Sequence, residues 1–480
     1  MNARASFTNA RKGRLRPRTF LGLAGVLAAS LAGSSAGAQD FAITGATLVI
    51  GDGSDPIENG TVVVQGGRVT AAGANVAVPA GITALDGTGS WVTPGLFSAV
   101  TDLGLWDVEA VDESNDTRPT RSPFGAALDV APAINPASQN IAISRAGGVT
   151  RATVTAYPAG SIFAGQGAVI DLGADPQAIV RPRAFQLVVL GEYGGRIAGG
   201  SRIAAHALFR NALREALDLD DDDEIATGSS RAPDIDTGDD VPIDSQVAGR
   251  DSERQSDAML TRFDAAALVP VVTGRQKLYV LVDRAADIRA VLALRQEFPR
   301  LDMVLVGAAE GWTMADEIAA SGVPVLAEAL TDLPASFEIL AATQSNVGRM
   351  MDAGVKVALG GFLGTDQQPR WATQHAGNLV ALNKLPGATG LSWGEAFAVI
   401  SSIPAEISGY GGPDGPLAGV LSAGAVGDVV VWDGDPLELS SNTVRVYIDG
   451  VEQPLTNHQT RLRDRYRDLD ESDLPKAYDW

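Results

Sequence analysis

Carboxylates that come at the ends of strand-like runs are the side chains best placed for chemistry in this sequence. Converging carboxylates suit a hard cation such as Mg²⁺, Mn²⁺ or Ca²⁺. Without a metal they serve as general acid and base when their surroundings separate their pKa values. Alternatively, they pair with arginines such as Arg202 and Arg284. The candidate catalytic residues are Asp102, Glu192, Asp283 and Asp366.

Nitrogen and sulfur ligands are scarce in this chain. Cysteine is absent, which excludes disulfides, thiolate catalysis and cysteine-ligated zinc. The three histidines are His206, His375 and His458. The first two lie in helical patterns and the third in the C-terminal tail, so none is predicted at a strand end. We therefore expect all three to have ordinary surface or core roles.

The charge of the chain disfavours some partners. The formal net charge is −21. The basic N-terminal segment contributes six cations, and its removal leaves a net charge near −27. Such a charge repels nucleic acid and anionic lipid, so we expect neither as a partner.

Short apolar β runs alternate with helical patterns through the middle of the chain. The β runs include "KLYVLVD", "LDMVLVGA" and "VKVALGG", and one helical pattern covers 337–354. Such alternation over about 300 residues predicts a parallel sheet, and a closed eight-stranded barrel fits the length. The predicted fold class is α/β: a distorted (β/α)8 TIM barrel with a small β-sandwich built from both chain ends.

Composition also predicts the domain bounds. Residues 41–92 and 416–454 are rich in short strands and turns and form the composite β-sandwich, while 93–412 form the barrel. An acidic, turn-rich insertion at about 216–257 is typical of a disordered or mobile loop. The C-terminal tail is 455–480, and its segment "TRLRDRYRDLDESDLPKAYDW" is predicted to form a short charged helix.

The first 38 residues are typical of a secretory signal peptide. A basic segment precedes the apolar stretch from Phe20 to Gly33, and small residues mark a cleavage site near Ala38. The apolar stretch is short for a membrane span. We expect a periplasmic or secreted protein without a membrane span after cleavage.

Three separated motifs resemble the amidohydrolase superfamily. They are "GATLVIGDGSDPIENGTVVVQGGRVTAAG", "WVTPGLFSAVTDLG" and "GVLSAGAVGDVVVWDGDPLEL", in the family's order. The segments "GSIFAGQGAVIDLG" and "VDRAADIRAVLALRQEF" are similar to the imidazolonepropionase-like subgroup. The resemblance implies a metal-dependent barrel that hydrolyses non-peptide C–N bonds of linear or cyclic amides.

The metal ligands that the resemblance implies are replaced. The family has a His-x-His pair on barrel strand 1, histidines on strands 5 and 6, and an aspartate on strand 8. No histidine occurs near the end of strand 5, at 281–283. The other family positions carry Val100 and Asp102 on strand 1, Gly307 on strand 6, and Phe362, or a displaced Asp366, on strand 8. We therefore expect no cofactor, with a divalent metal at the carboxylates as the alternative.

Three functions follow as hypotheses. The first is a protein degenerate at the metal site, a pseudoenzyme that acts as a binding or partner subunit in a homo-oligomer or beside a paralogous amidohydrolase. The second is an active hydrolase with a rebuilt carboxylate site. The third is a periplasmic protein that binds a small molecule at the barrel mouth. A fold does not determine activity, so the residues of the site must decide between them.

Overall fold

The computed structural model describes residues 37–108, 111–228, 259–361, 368–412 and 415–467, without the side chains of residues 220–228. The predicted signal peptide lies outside these ranges except for its last two residues. From Ala38 onward the chain forms one compact unit.

The strands fall into two sheets. In chain order they are β1 (Phe41–Leu48), β2 (Ile57–Gln65), β3 (Arg68–Gly73), β4 (Thr83–Asp86), β5 (Trp91–Pro94), β6 (Leu96–Thr101), β7 (Val149–Val154), β8 (Phe163–Asp171), β9 (Ile179–Val189), β10 (Lys277–Val282), β11 (Met303–Gly307), β12 (Val325–Ala327), β13 (Val357–Leu359), β14 (Val429–Trp432), β15 (Thr443–Ile448) and β16 (Val451–Glu452).

Strands β6 to β13 form the barrel. Each pairs with the next in chain order, and a bridge between Ala99 and Gly360 joins the first strand to the end of the last. Successive side chains of β9 point alternately into the barrel and toward the helices outside it. Phe185, Leu187 and Val189 pack inside the barrel, whereas Val188 packs in the outer core. The predicted barrel with a small β-sandwich is confirmed.

One barrel strand departs from the regular pattern. Strand β8 runs antiparallel to both β7 and β9, and it lies in the segment "GSIFAGQGAVIDLG". It is joined to its neighbours by loops, so no helix intervenes on either side. The barrel is therefore distorted on this side, while the strands from β9 to β13 remain parallel.

The second sheet is built from both ends of the chain. Its order is β16-β15-β14-β5-β1-β2-β3, with β4 beside β1. The central pairing joins an early strand to a late one, because Val92 of β5 lies opposite Val431 of β14. At the sheet's edge the Gln39 backbone N–H donates to the Gly450 carbonyl at 3.0 Å.

A buried ion cluster ties this sheet to the barrel. Arg151 of β7 donates from Nε to Asp428 at 2.9 Å and from a terminal nitrogen to Asp449 at 2.7 Å. The side chains of Arg151 and Asp428 are 4% and 2% exposed. Buried charges of this kind are stable only when they are paired. The cluster also affects Asp171, whose pKa burial raises to about 6.

The helices cover the barrel. In chain order they are α1 (Gln139–Ala146), α2 (Gly191–Ile197), α3 (Arg202–Gly228), α4 (Arg262–Val272), α5 (Ala285–Ala293), α6 (Ala315–Ser321), α7 (Asn346–Asp352), α8 (Ala372–Ala381), α9 (Trp393–Ala398), α10 (Ser402–Ile407) and α11 (His458–Arg465). None of the helices in the described ranges is both long enough and apolar enough to cross a bilayer.

The acidic insertion differs from the prediction at its start. Helix α3 continues through residue 216 and ends at Gly228, so residues 216–228 are helical rather than a loop. Buried Phe209, Leu213 and Ala216 recur on one face of this helix. That packing supports the helix as it enters the acidic stretch. Residues 229–258 lie outside the described residues.

Candidate ligand-binding site at the barrel mouth

A cavity of about 240 Å³ opens at the carboxyl ends of the barrel strands. Asp283 directly follows β10, Gly307 ends β11 and Glu328 directly follows β12. Gly361, just past β13, completes this side of the wall. The carboxyl ends of the strands are the face on which barrels of this type hold their ligands, so the cavity is the candidate site.

Asp283 is partly buried in the cavity wall. The Ala309 backbone N–H donates to its Oδ1 at 3.1 Å. Burial raises the pKa of Asp283 to about 7, against the lowering effect of that hydrogen bond. The negative charges of Glu338, Glu328 and Glu310 raise it further. Near neutral pH this carboxyl group therefore exchanges readily between its two protonation states.

Glu328 is a second carboxylate in the wall. The Thr331 hydroxyl donates to its Oε2 at 2.8 Å. His375 of α8 is close enough for Glu328 to favour the protonated imidazole, but burial has the larger effect and lowers the pKa of His375. Above pH 7 this histidine therefore adds little positive charge to the site. It was predicted to have an ordinary role, and its position near Glu328 was not foreseen.

Two other predicted carboxylates lie apart from the cavity wall. Glu192 lies in the first turn of α2, and Arg202 donates to its carboxylate at 3.4 Å. The same arginine contacts Glu338 at 3.3 Å and Asp287 at 3.2 Å, so the expected pairing with an arginine occurs at this position. Asp102 directly follows β6 and is 8% exposed. Neither residue lines the cavity.

The remaining predicted positions divide between described and undescribed residues. Asp366 and Phe362 lie outside the described residues. His206 lies in α3 and contacts Asp287 at 3.3 Å, and His458 is the first residue of α11. Of the four predicted carboxylates, Asp283 is thus the one that the described structure places in the cavity wall.

Gly307, at the end of β11, packs closely against Asp283. A Cβ atom at this position would lie 2.5 Å from Oδ1 of Asp283. The backbone of Gly307 also has a φ of +88°, which residues with side chains rarely adopt. A side chain at this position would therefore require the Asp283 carboxylate to move and would strain the backbone.

Val100 lies on β6, where the sequence predicts a replaced ligand position. Its side chain is fully buried among apolar residues of the barrel interior. Its φ of 57° is unusual for a β-branched residue, and its backbone N–H donates to the Thr153 hydroxyl at 2.6 Å. Val100 thus combines a strained backbone with an apolar side chain inside the barrel.

The described residues do not fit a nitrogen-ligated metal. A zinc site requires converging imidazoles, thiolates or carboxylates. Within the described ranges, no group of three or more histidine, aspartate or glutamate residues is arranged to hold a metal ion. The acidic pair of Asp283 and Glu328 can instead bind a hydrogen-bond donor or a positive charge, or exchange protons with a ligand.

Comparison with known proteins supports the architecture. The crystal structure of an amidohydrolase from Thermotoga maritima MSB8 superposes with a TM-score of 0.68 at 21% identity, covering 86% of this chain and 99% of that one. The chain has the fold of that amidohydrolase. A prolidase complexed with N-methylphosphonate-L-proline is also similar, with a TM-score of 0.49, 17% identity and coverage of 86% of this chain and 99% of the other.

Sequence comparison is more limited. No protein-family model matches the chain. A stretch of 64 residues is 39% identical to the amidohydrolase tasK of Hapsidospora irregularis. This stretch covers 13% of the present chain, and the chain spans 6% of the length of that relative. The Thermotoga maritima structure thus supports the amidohydrolase fold, whereas the subgroup remains a prediction.

Glu328, Glu310 and Glu338 were not among the predicted site residues. Glu328 had a usable signal, because it directly follows the β run "GVPVLA" in the same way that Asp283 follows "KLYVLV". Glu310 and Glu338 lie in loops after β11 and β12. Only the folded chain shows that their charges act on Asp283.

Proposed function

We propose that this protein is an exported, amidohydrolase-like protein that binds a small molecule at the barrel mouth without a nitrogen-ligated metal. It acts as a binding or partner subunit. The observation that carries the proposal is the carboxylate of Asp283, which fills the space beside Gly307 that a strand 6 ligand would need. The sealed Val100 position supports it independently.

The chemistry of metal-dependent amide hydrolysis explains why the residues at positions 100 and 307 matter for the proposal. Such an enzyme lowers the pKa of a bound water toward neutrality, which requires a firmly held metal. A buried valine and a glycine supply no lone pair for a metal. The cavity nevertheless persists, with polar and apolar lining, and a cavity of this kind is the usual place for a small-molecule ligand.

Metal analysis of the purified full chain tests the proposal. The protein is incubated with equimolar Zn²⁺ or Mn²⁺, desalted gently and measured by atomic emission. We expect less than about 0.1 metal ion per chain, because a site without converging ligands does not retain the ion. Near-stoichiometric metal that is lost in Asp283→Asn would overturn the proposal.

A second candidate function is hydrolysis of an amide or related C–N bond by carboxylates alone. It is favoured by one observation: Asp283, with a pKa of about 7, lines the same cavity as Glu328. An ionised Glu328 would accept a proton from the attacking water while a protonated Asp283 donates one to the leaving nitrogen, so one water is consumed for each bond broken.

A screen of linear and cyclic amides separates the two candidates. Turnover that persists in the presence of a chelator, and is lost in both Asp283→Asn and Glu328→Gln, would establish the hydrolase. Binding without turnover favours the ligand-binding function. Co-purification of a second barrel protein from the native host would identify a paralogous partner.

A further inference from the structure

The charges around the cavity are unbalanced. Asp283 and Glu328 both line it, whereas its described wall contains no lysine, arginine or histidine. The partners described for these two carboxylates are neutral: the Ala309 amide for Asp283 and the Thr331 hydroxyl for Glu328. Neither carboxylate forms a described ion pair, although such pairs occur elsewhere around the mouth.

The arginine that contacts Glu338, Arg202, is already neutralised. Arg202 contacts Glu192, Asp287 and Glu338 together, so its single positive charge is shared among three carboxylates. Glu310 is held by the backbone N–H groups of Ala285 and Ala341. The described carboxylates around Arg202 therefore outnumber the single positive charge that this arginine supplies.

Electrostatics makes such a cavity selective. Two carboxylates in one partly buried wall repel each other, and this repulsion is stronger than in bulk water. A positive charge placed between them removes the repulsion and gains attraction to both. An anionic ligand would instead add a third negative charge, so it is excluded.

The rest of the wall limits the shape of the ligand. Leu281, Val306 and Ile339 supply apolar surface beside the carboxylates. The volume of about 240 Å³ is below the roughly 300–1,000 Å³ of pockets for drug-sized molecules. The occupant is therefore small, with an apolar body and a charged end.

We propose that the cavity binds a small organic cation, an ammonium or amidinium compound, whose N–H groups donate to Asp283 and Glu328. This inference rests on the proposed ligand-binding function and names its ligand class. A planar amidinium presents two N–H donors, which suits a pair of carboxylates better than a single donor does.

Three isosteres that differ only in charge test the proposal. Binding of benzamidine, benzamide and benzoate to the full chain is measured by calorimetry at pH 8, with acetamidine, acetamide and acetate as a smaller series. We expect the cation of at least one series to bind about tenfold or more tightly than its neutral isostere, and the anion not to bind. Equal binding of cation and amide, or no binding of either cation, overturns the proposal.

Variants locate the binding. Asp283→Asn and Glu328→Gln each remove one charge with little change in shape. Each should lower the affinity for the cation by about tenfold and leave the affinity for the neutral amide unchanged. Asp316→Asn, an exposed carboxylate outside the cavity wall, is the matched control and should have no effect. Unchanged cation affinity in both cavity variants places the ligand elsewhere and overturns the proposal.

The two proposals fail in different ways. Stoichiometric zinc in the same preparation contradicts the proposed function, regardless of whether the organic cations bind. A metal-free protein that binds benzamide as well as benzamidine contradicts only the ligand class. Melting temperatures of all variants show whether they are folded, so that a loss of binding is not confused with unfolding.

Discussion

Replacing Asp283 by asparagine should change how the stability of the protein depends on pH. The substitution keeps the shape of the side chain and an oxygen that can accept from the Ala309 amide. It removes a carboxyl group whose pKa in the folded protein is about 7, whereas an aspartate in an unfolded chain has a pKa of about 3.9. The folded state therefore holds this proton more tightly than the unfolded state does.

The sign and size of the pH effect on the free energy of unfolding follow from the difference between these two pKa values. Between the two pKa values, folding takes up a proton, so each rise of one pH unit lowers the free energy of unfolding by about 1.4 kcal/mol. Stability is full below about pH 4 and is lost as the pH rises through 7. From pH 5 to pH 8 the loss amounts to at most about 2.6 kcal/mol, and solvent in the cavity reduces it to about 1–2 kcal/mol.

Urea denaturation followed by tryptophan fluorescence measures this loss. Free energies of unfolding are compared at pH 5 and pH 8 for the wild type, Asp283→Asn and the exposed control Asp316→Asn. We expect Asp283→Asn to gain about 1–2 kcal/mol relative to the wild type on going from pH 5 to pH 8, and the control to gain nothing. Parallel pH profiles for the wild type and Asp283→Asn would refute the buried, like-charged environment inferred for this carboxyl group.

Substitutions at Arg151 and Val100 test the buried ion cluster and the strained backbone of β6. Arg151→Met should destabilise the protein by about 3–5 kcal/mol in the same urea assay, because it leaves Asp428 buried without its partner, whereas exposed Arg289→Met should cost less than about 1 kcal/mol. Glycine normally costs about 0.5–1 kcal/mol more than alanine, but at Val100, with φ at 57°, Val100→Gly should be more stable than Val100→Ala by about 1 kcal/mol. An alanine variant as stable as the glycine variant would contradict the backbone strain.

Much of the fold could be predicted because its signals are local. Strands such as β10 and β11 are continuous apolar runs bounded by polar residues, as strands covered on both faces must be. The antiparallel direction of β8 could not be predicted, because an apolar run has the same pattern in a parallel and in an antiparallel strand. Helical periodicity over 337–354 was also misleading: the helix is limited to Asn346–Asp352.

The candidate site was predicted only in part. Asp283 was found because it follows a strong strand pattern, and the same reasoning applied to "GVPVLA" would have found Glu328. The pairing of Arg202 with Glu338 spans 136 residues, and no local pattern carries that information. Nor does the sequence show that Asp283 lies against Gly307, since this contact depends on how two strands are aligned.

The pairing of β5 with β14 has a consequence for biogenesis. Val92 emerges from the ribosome more than 300 residues before Val431, its partner, so the central ladder of this sheet cannot form until translation is nearly finished. The early strands must wait with one edge open during that interval. If the protein is exported as proposed, this delay keeps the polypeptide unfolded enough for translocation until its last strands are made.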